Sequence, residues 1–341
     1  MKNFLKQMLT NTGPKPLNSK KVFKHDSKII AKNFTINSFG KKNSNKIFYI
    51  INRSPGAGLF SNVSFVLNHL SICKIYKFIP IVDMENFPTI YNERKKIDNT
   101  FNAWLYYFKP LNNYNLDEVY KSKNVIFSEN NFQKKMIYDM TNNQIKKFFN
   151  KIKINKQFII KSNSLYSNFF NKNDKVLGLH FRGSTYKVAR GHAFPPTISL
   201  MIKNIDYLIK KYKYNKIFLV TEEMKYLDVL KRKYTNNCLY LNNYRMNQID
   251  SFKIYPRNNH RYKLGKEILL DTLMLSKCDG LSYINSNVIS AAKLLAKKKQ
   301  NYHELFFGYN SRNKFIARWL WYLKLFLPFL FGKLKKIRKY N

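Results

Sequence analysis

At 341 residues the chain exceeds what a single hydrophobic core usually supports, and its 45% apolar content excludes global disorder. Its formal charge of +43, from 62 basic against 19 acidic residues, points to anionic partners such as nucleotides, phosphorylated carbohydrate or anionic lipid. Only 11 of the basic residues are arginine and they are not clustered, so no basic stripe or reading motif for specific nucleic-acid binding stands out.

In chain order, residues 1–45 are polar and lysine-rich and read as a loosely held lead-in, and the broken apolar segment before Pro14 is not a secretory signal. KIFYIIN (46–52) predicts a strand, RSPGAG a turn, LFSNVSFVLNHL (59–70) a helix, and KFIPIVD (77–83) a second strand, together one βαβ unit. Gly56 and Gly58 in the turn, with Asp83 after the second strand, invite a dinucleotide reading, but Ser61 replaces the third glycine of that fingerprint. A glycine turn that lets a polar ligand approach the helix N-terminus is the favoured alternative. Residues 92–171 are rich in Tyr, Phe and Asn and hold the aromatic cluster NAWLYYF (102–108). A domain boundary is placed near residue 172, beside Asn173-Asp174. From there strands at 176–182, 216–221 and 280–284 alternate with helices at 198–212, 264–277 and 288–298, the rhythm of a parallel α/β sheet. Cys73, Cys238 and Cys278 are widely spaced and read as reduced structural thiols.

Four features of this second half bear on chemistry. In GLHFRGSTYK (178–187) an extended strand puts His180 and Arg182 on one face, and Gly183 frees the backbone where a ligand would approach the strand's carboxyl end. The arginine offers a bidentate fork for phosphate oxygens. Glu222 and Glu223 end the next strand, as loop charges or as pocket lining. Asp271 falls on the apolar face of its helix, so a core lysine or arginine meets it or it accepts hydrogen bonds from a ligand, for which the donor edge of guanine is suited. Ser286 is placed to cap the last helix, a position that also binds phosphate.

The ordered set GAGLFSN, HxRG, TEE, LLDxLxLSKCD and INSN resembles the GDP-fucose-dependent fucosyltransferase superfamily, in particular the α1,6-type and nodulation-type enzymes, with protein O-fucosyltransferases more distant. The resemblance implies an α/β fold of GT-B type: two facing Rossmann-like domains (46–172, acceptor side; 173–300, nucleotide-sugar side) and an aromatic, basic tail (301–341). It implies that Arg182 binds the donor's β-phosphate, that His180 and Asp271 contact guanine, and that Ser286 contacts the pyrophosphate. The donor site so defined takes in His180, Arg182, Gly183, Lys187, Glu222, Asp271, Ser286 and Asn287, with Gly56, Gly58 and Asn62 lining the cleft from the first domain. Relatives carry an RGTD or RRTDK pattern, whereas this chain reads RGSTYK, and Lys187 matches the lysine across a one-residue insertion. Where relatives carry a glutamate base, KVARGHAFPP offers Arg190 and His192, so His192 is the candidate base beside a purely structural role.

The expected activity is an inverting glycosyl transfer of fucose from GDP-fucose to a glycan hydroxyl of surface-polysaccharide or lipopolysaccharide type, in a bacterial setting, with another GDP-sugar as the alternative donor. A degenerate relative that binds the nucleotide sugar without turnover is the rival. No Asp-x-Asp motif occurs, Asp83-Met84-Glu85 coming nearest, so no metal or other cofactor is expected. Trp104, Tyr106 and Tyr107 are candidates for stacking on the acceptor sugar. FIARWLWYLKLFLPFLF (315–331) followed by KLKKIRKYN is too interrupted to span a bilayer and reads as an interfacial segment, with Trp319, Trp321 and Tyr322 at headgroup depth. The expected location is cytoplasmic, held at the inner membrane's cytoplasmic face through 315–341; a helix docked on the protein itself is the alternative.

Overall fold

A computed structural model describes residues 13–23, 33–128, 140–245 and 251–327. The chain divides into two compact units, Met1–Phe158 with Pro256–Lys266, and Ile159–Tyr255 with Glu267–Asn341. Two of the three divisions fall inside helices, Lys156–Phe169 and His260–Leu275, and the third between Tyr255 and Pro256; the first of them lies ahead of the polar pair at 173–174 that the sequence marks as a boundary. A continuous helix carries no turn signal, which is why the sequence does not show the crossing.

In the first unit the strands are β1 (Asn18–Phe23), β2 (Asn33–Ser38), β3 (Phe48–Ile51), β4 (Ile79–Val82) and β5 (Val125–Phe127), ordered β1-β2-β5-β3-β4. β3 runs parallel to β4 and β5, and all four of its residues are buried, as an unbroken apolar strand with covered faces requires. The lead-in is more ordered than its composition suggests, because β1 and β2 pair antiparallel and β2 joins β5. Helix α1 (Leu59–Tyr76) connects β3 to β4 and completes the expected βαβ unit; it runs past Leu70 because nothing breaks it before Lys77, whose left-handed backbone closes it. Helices α2 (Leu116–Val119) and α3 (Asn142–Phe149) follow, and α4 is Lys156–Phe169.

The second unit is a parallel sheet of β6 (Val176–Phe181), β7 (Lys216–Thr221), β8 (Cys238–Leu239), β9 (Gly280–Tyr283) and β10 (Asn301–Glu304), ordered β10-β9-β6-β7-β8. Its helices are α5 (Ser184–Val188), α6 (Ile198–Tyr212), α7 (Met224–Tyr234), α8 (His260–Leu275, entering from the first unit), α9 (Asn287–Leu295) and α10 (Lys314–Phe326). The three cysteines are buried and free.

Helix α10 docks on this unit. Trp321, expected at headgroup depth, is 4% exposed and belongs to the core cluster built on Leu177, Leu179 and Leu219. Its Nε1 donates to the Pro195 carbonyl at 2.9 Å, and the Lys187 ammonium lies 4.5 Å from its ring centre. Asn310 Nδ2 donates to the carbonyls of Ala317 (3.0 Å) and Lys187 (3.1 Å), fastening the helix from a second side. The docked alternative therefore holds for this face of α10, since an indole with both its ring and its N–H satisfied by protein has nothing to gain from lipid. The end of the tail, 328–341, lies outside the described residues. Trp321→Ala is expected to destabilise the protein by about 3–5 kcal/mol, the usual cost of truncating a buried tryptophan; denaturant unfolding of the full chain measures it, and a loss below about 1 kcal/mol would refute the docking.

Candidate functional site

The order β10-β9-β6-β7-β8 contains a topological switch point. From β6 the chain moves to β7 on one side, and from β9 it moves to β10 on the other. The connections therefore diverge at the carboxyl ends of β6 and β9, the position at which open α/β sheets bind ligands. The two candidate motifs meet at this point. His180, near the end of β6, brings Nδ1 to within 3.4 Å of the Ser286 hydroxyl, and Ser286 caps α9 by accepting from the Ile289 N–H at 3.3 Å. Asn287 is the exposed first residue of that helix. Burial, and secondarily the charge of Arg182, push the His180 imidazole down to about 3, so it is neutral at physiological pH.

Arg182 stands just beyond β6 and is half-buried. Its guanidinium donates to Glu222 Oε2 at 2.9 Å and to the Tyr186 hydroxyl at 3.0 Å, and lies 4.3 Å from the Tyr186 ring centre. His192 packs against the other partner of this cluster, with ring centres 4.7 Å apart between it and Tyr186. Burial and the Arg182 charge lower the His192 pKa, so this imidazole too is neutral near pH 7 and able to accept a proton. Tyr186 is the member the sequence reading missed. Its signal was its place four residues after Arg182 on a short helix, obscured because GSTYK reads as a loop.

Gly183 does not serve the purpose expected of it. A Cβ there would lie 2.0 Å from Tyr226 Cε2 and 2.2 Å from Glu223 Oε1, so the space beside the glycine is filled by protein and not by an approaching ligand. Lys187 is likewise turned to the indole of Trp321.

Asp271 lies in α8 and is 8% exposed. Oδ2 accepts from Asn243 Nδ2 at 2.7 Å, and among the described residues Oδ1 has no hydrogen-bond partner. Burial raises the carboxyl to about 8; the charge of Arg245 opposes this, Glu267 adds to it, and the Asn243 bond opposes it weakly. Arg245 does not donate to it among the described contacts. Its three nitrogens bond the carbonyls of Thr221 (3.1 Å), Asn243 (3.1 Å) and Leu241 (2.8 Å), tying the segment after β8 to the carboxyl end of β7. No lysine or arginine bonds Asp271 directly among the described residues, so the core ion pair that one of its two readings expects is not formed there. Asn243 and Arg245 follow a strand of two residues, too short for its periodicity to show in sequence.

In the first unit the glycine turn is closed mainly by its own side chains. Gly56 has φ +72°, which explains the glycine. Asn62, expected to line a cleft, is buried: its Oδ1 accepts from the Ala57 N–H at 3.0 Å and from Arg53 at 3.3 Å. Gly58 alone has open space where a side chain would project. Asp83 does not offer its carboxylate to a ribose, since it is buried and accepts from the Glu85 and Asn86 N–H groups and from the Tyr120 hydroxyl at 2.6 Å. Trp104, Tyr106 and Tyr107 are also corrected. All three are buried, with Trp104 Nε1 bonded to the Lys109 carbonyl and the Tyr107 hydroxyl to that of Tyr262, so they form core and are not an exposed stacking platform.

The sequence matches no protein-family model and no curated protein. Solved structures do match. NodZ alpha-1,6-fucosyltransferase, both co-crystallized with GDP and soaked with GDP-fucose, aligns at 14% identity over 74% of this chain and 93% of that chain, with a TM-score of 0.50. Fucosyltransferase NodZ from Bradyrhizobium aligns at 15% identity over 74% and 94% of the two chains, with a TM-score of 0.49. A mixed α/β fold with two parallel-rich sheets and a switch point in the second agrees with these structures, and the fold of this chain is that of the GDP-fucose-dependent fucosyltransferases its motifs resemble.

Proposed function

We propose that the chain is a metal-independent, inverting glycosyltransferase that takes a GDP-sugar, GDP-fucose first among them, and transfers the sugar to a glycan hydroxyl. The observation that carries this reading is the orphaned, buried Oδ1 of Asp271 beside Asn243. An ionised carboxylate there would be costly without donors, and adjacent ring N–H and exocyclic amine donors on guanine supply them. Arg182 and the N-terminal end of α9 take the diphosphate, whose charge grows as the C1–O bond to the sugar breaks. The acceptor oxygen forms the new bond to C1 from the opposite face and its proton passes to a base, for which His192 is the candidate. The Arg182–Glu222 pair does not obstruct this. Both side chains are about one-third exposed, 32% and 38%, and such pairs are worth at most about 1 kcal/mol, less than a charge-assisted phosphate contact of about 1.5–3 kcal/mol.

GDP is expected to stabilise the protein while ADP and UDP do not. Arg182→Ala should keep the fold and weaken GDP binding by about 1.5–3 kcal/mol, read by calorimetry; an unchanged affinity removes phosphate from the role assigned to Arg182. His192→Gln should retain GDP binding and lose sugar transfer, and transfer at the parental rate would move the base elsewhere.

The raised carboxyl of Asp271 gives a pH signature. The folded chain holds this proton up to about pH 8, whereas an unfolded aspartate loses it near pH 4. Stability therefore declines as pH rises across that window, and Asp271→Asn should remove the decline. Binding through the ionised form should tighten with pH by up to about tenfold per unit until pH 8 and then level. Dividing the wild-type GDP affinity by that of Asp271→Asn at each pH cancels titration of the ligand's own phosphate. A flat ratio, with the GDP-to-ADP preference intact in the variant, would assign Asp271 to the core alone.

A further inference from the structure

Helix α10 is apolar on both sides. Ala317 and Trp321 face the core, and Leu320 and Leu325 pack against it. On the opposite side Phe315, Trp319, Tyr322 and Phe326 recur at spacings of four, three and four, a single stripe of the helix, flanked by Ile316 and Leu323. Phe315 is 78%, Trp319 65% and Phe326 75% exposed. A helix apolar all round is ordinarily buried, so this stripe is a surface made to be covered.

We infer that the outer face of α10 seats the protein on an anionic lipid bilayer. The charge balance selects this occupant. A second copy of a chain carrying +43 would be repelled, whereas anionic headgroups attract it. Arg312, Lys314 and Arg318 are exposed beside the stripe, α10 contains no acidic residue, and the sequence continues through Lys333, Lys335, Lys336, Arg338 and Lys339. The aromatic composition of the stripe suits headgroup depth. Seating is interfacial, since no described helix is long and apolar enough to cross a membrane. The inference is independent of the reaction proposed above. It also reassigns the roles expected from sequence: Trp319 and Tyr322 face outward, and Trp321 is the anchor that holds the helix to the protein.

The test is co-sedimentation of the full chain with vesicles of phosphatidylcholine alone and of phosphatidylcholine with phosphatidylglycerol. Binding is expected to the second only, weakened by salt as screening shortens to about 10 Å at 0.1 M. Phe315→Ser/Trp319→Ser/Phe326→Ser should reduce partitioning at least about tenfold, since three exposed aromatics leave the contact, while GDP-independent thermal unfolding stays cooperative. Because that variant could fold poorly, quenching by brominated lipid gives a second measure. Quenching should be strong in the wild type and largely lost in Trp319→Phe, which still sediments. Unchanged partitioning of the triple variant, no quenching, or a stable dimer in sedimentation velocity that Trp319→Ser dissociates would overturn the proposal, the last by assigning the stripe to a second copy. Deleting the whole of 313–341 is a poor test, because it removes Trp321 from the core.

Discussion

The second unit depends on how closely β9 and α8 approach β6. Gly178 in β6 is what allows it: a Cβ there would fall 2.7 Å from Leu281, 2.9 Å from Leu275 and 3.1 Å from Cys278. On β9, Gly280 accommodates the Tyr214 hydroxyl, which a Cβ would meet at 2.0 Å. With the two glycines in place the register runs Leu177↔Gly280 to His180↔Tyr283, and His180 arrives opposite the segment that carries Ser286. Leu275 is the last residue of α8 and Asp271 lies one turn before it, so the same close packing that fixes the strands also fixes the carboxylate. Neither glycine has positive φ; their value is steric, and substitution would be felt as overpacking.

The charged groups at the carboxyl edge then divide by burial. Arg182 and Glu222 stay partly in water, where their mutual attraction is small and their geometry is cheap to change. Asp271 has no water to fall back on, so it holds a proton or a donor partner. In a chain with 62 basic and 19 acidic residues, a buried carboxyl that no lysine or arginine among the described residues claims by a direct hydrogen bond runs against the composition. The large positive charge draws an anionic ligand toward the site without choosing among bases, and the discrimination proposed for Asp271 is a short-range matter of hydrogen-bond donors.

What the sequence made legible follows from the range of each signal. The parallel strands read at 176–182 and 216–221 and the helix at 198–212 were readable because burial on both faces produces unbroken apolar runs and the helix repeats its apolar residues at helical spacing. Ser286 as a cap was readable for the same local reason. The aromatic run at 102–108 was misread because composition does not say which way a ring points, and here Trp104, Tyr106 and Tyr107 all point into protein. Asn243 and Arg245 were invisible because their partners Asp271 and Thr221 lie 28 and 24 residues away, and Tyr186 because it sits on a short helix with no periodicity of its own.

The tail shows the limit of hydrophobic pattern most clearly. Trp319 and Trp321 are two residues apart, about 200° around a helix, so one enters the core as the other leaves it. With aromatic and aliphatic residues on both faces, the pattern does not say which tryptophan is buried, and the contacts of Trp321 with Pro195 and Lys187 decide it. Those contacts tie α10 to the segment that carries His192: Pro195 accepts from Trp321, and the His192 carbonyl accepts from the Asn310 N–H at 2.8 Å. Helix α10 therefore braces the loop beside Arg182 and Tyr186 with one face, and whatever covers its other face bears on the position of that loop through the rigid body of a single helix.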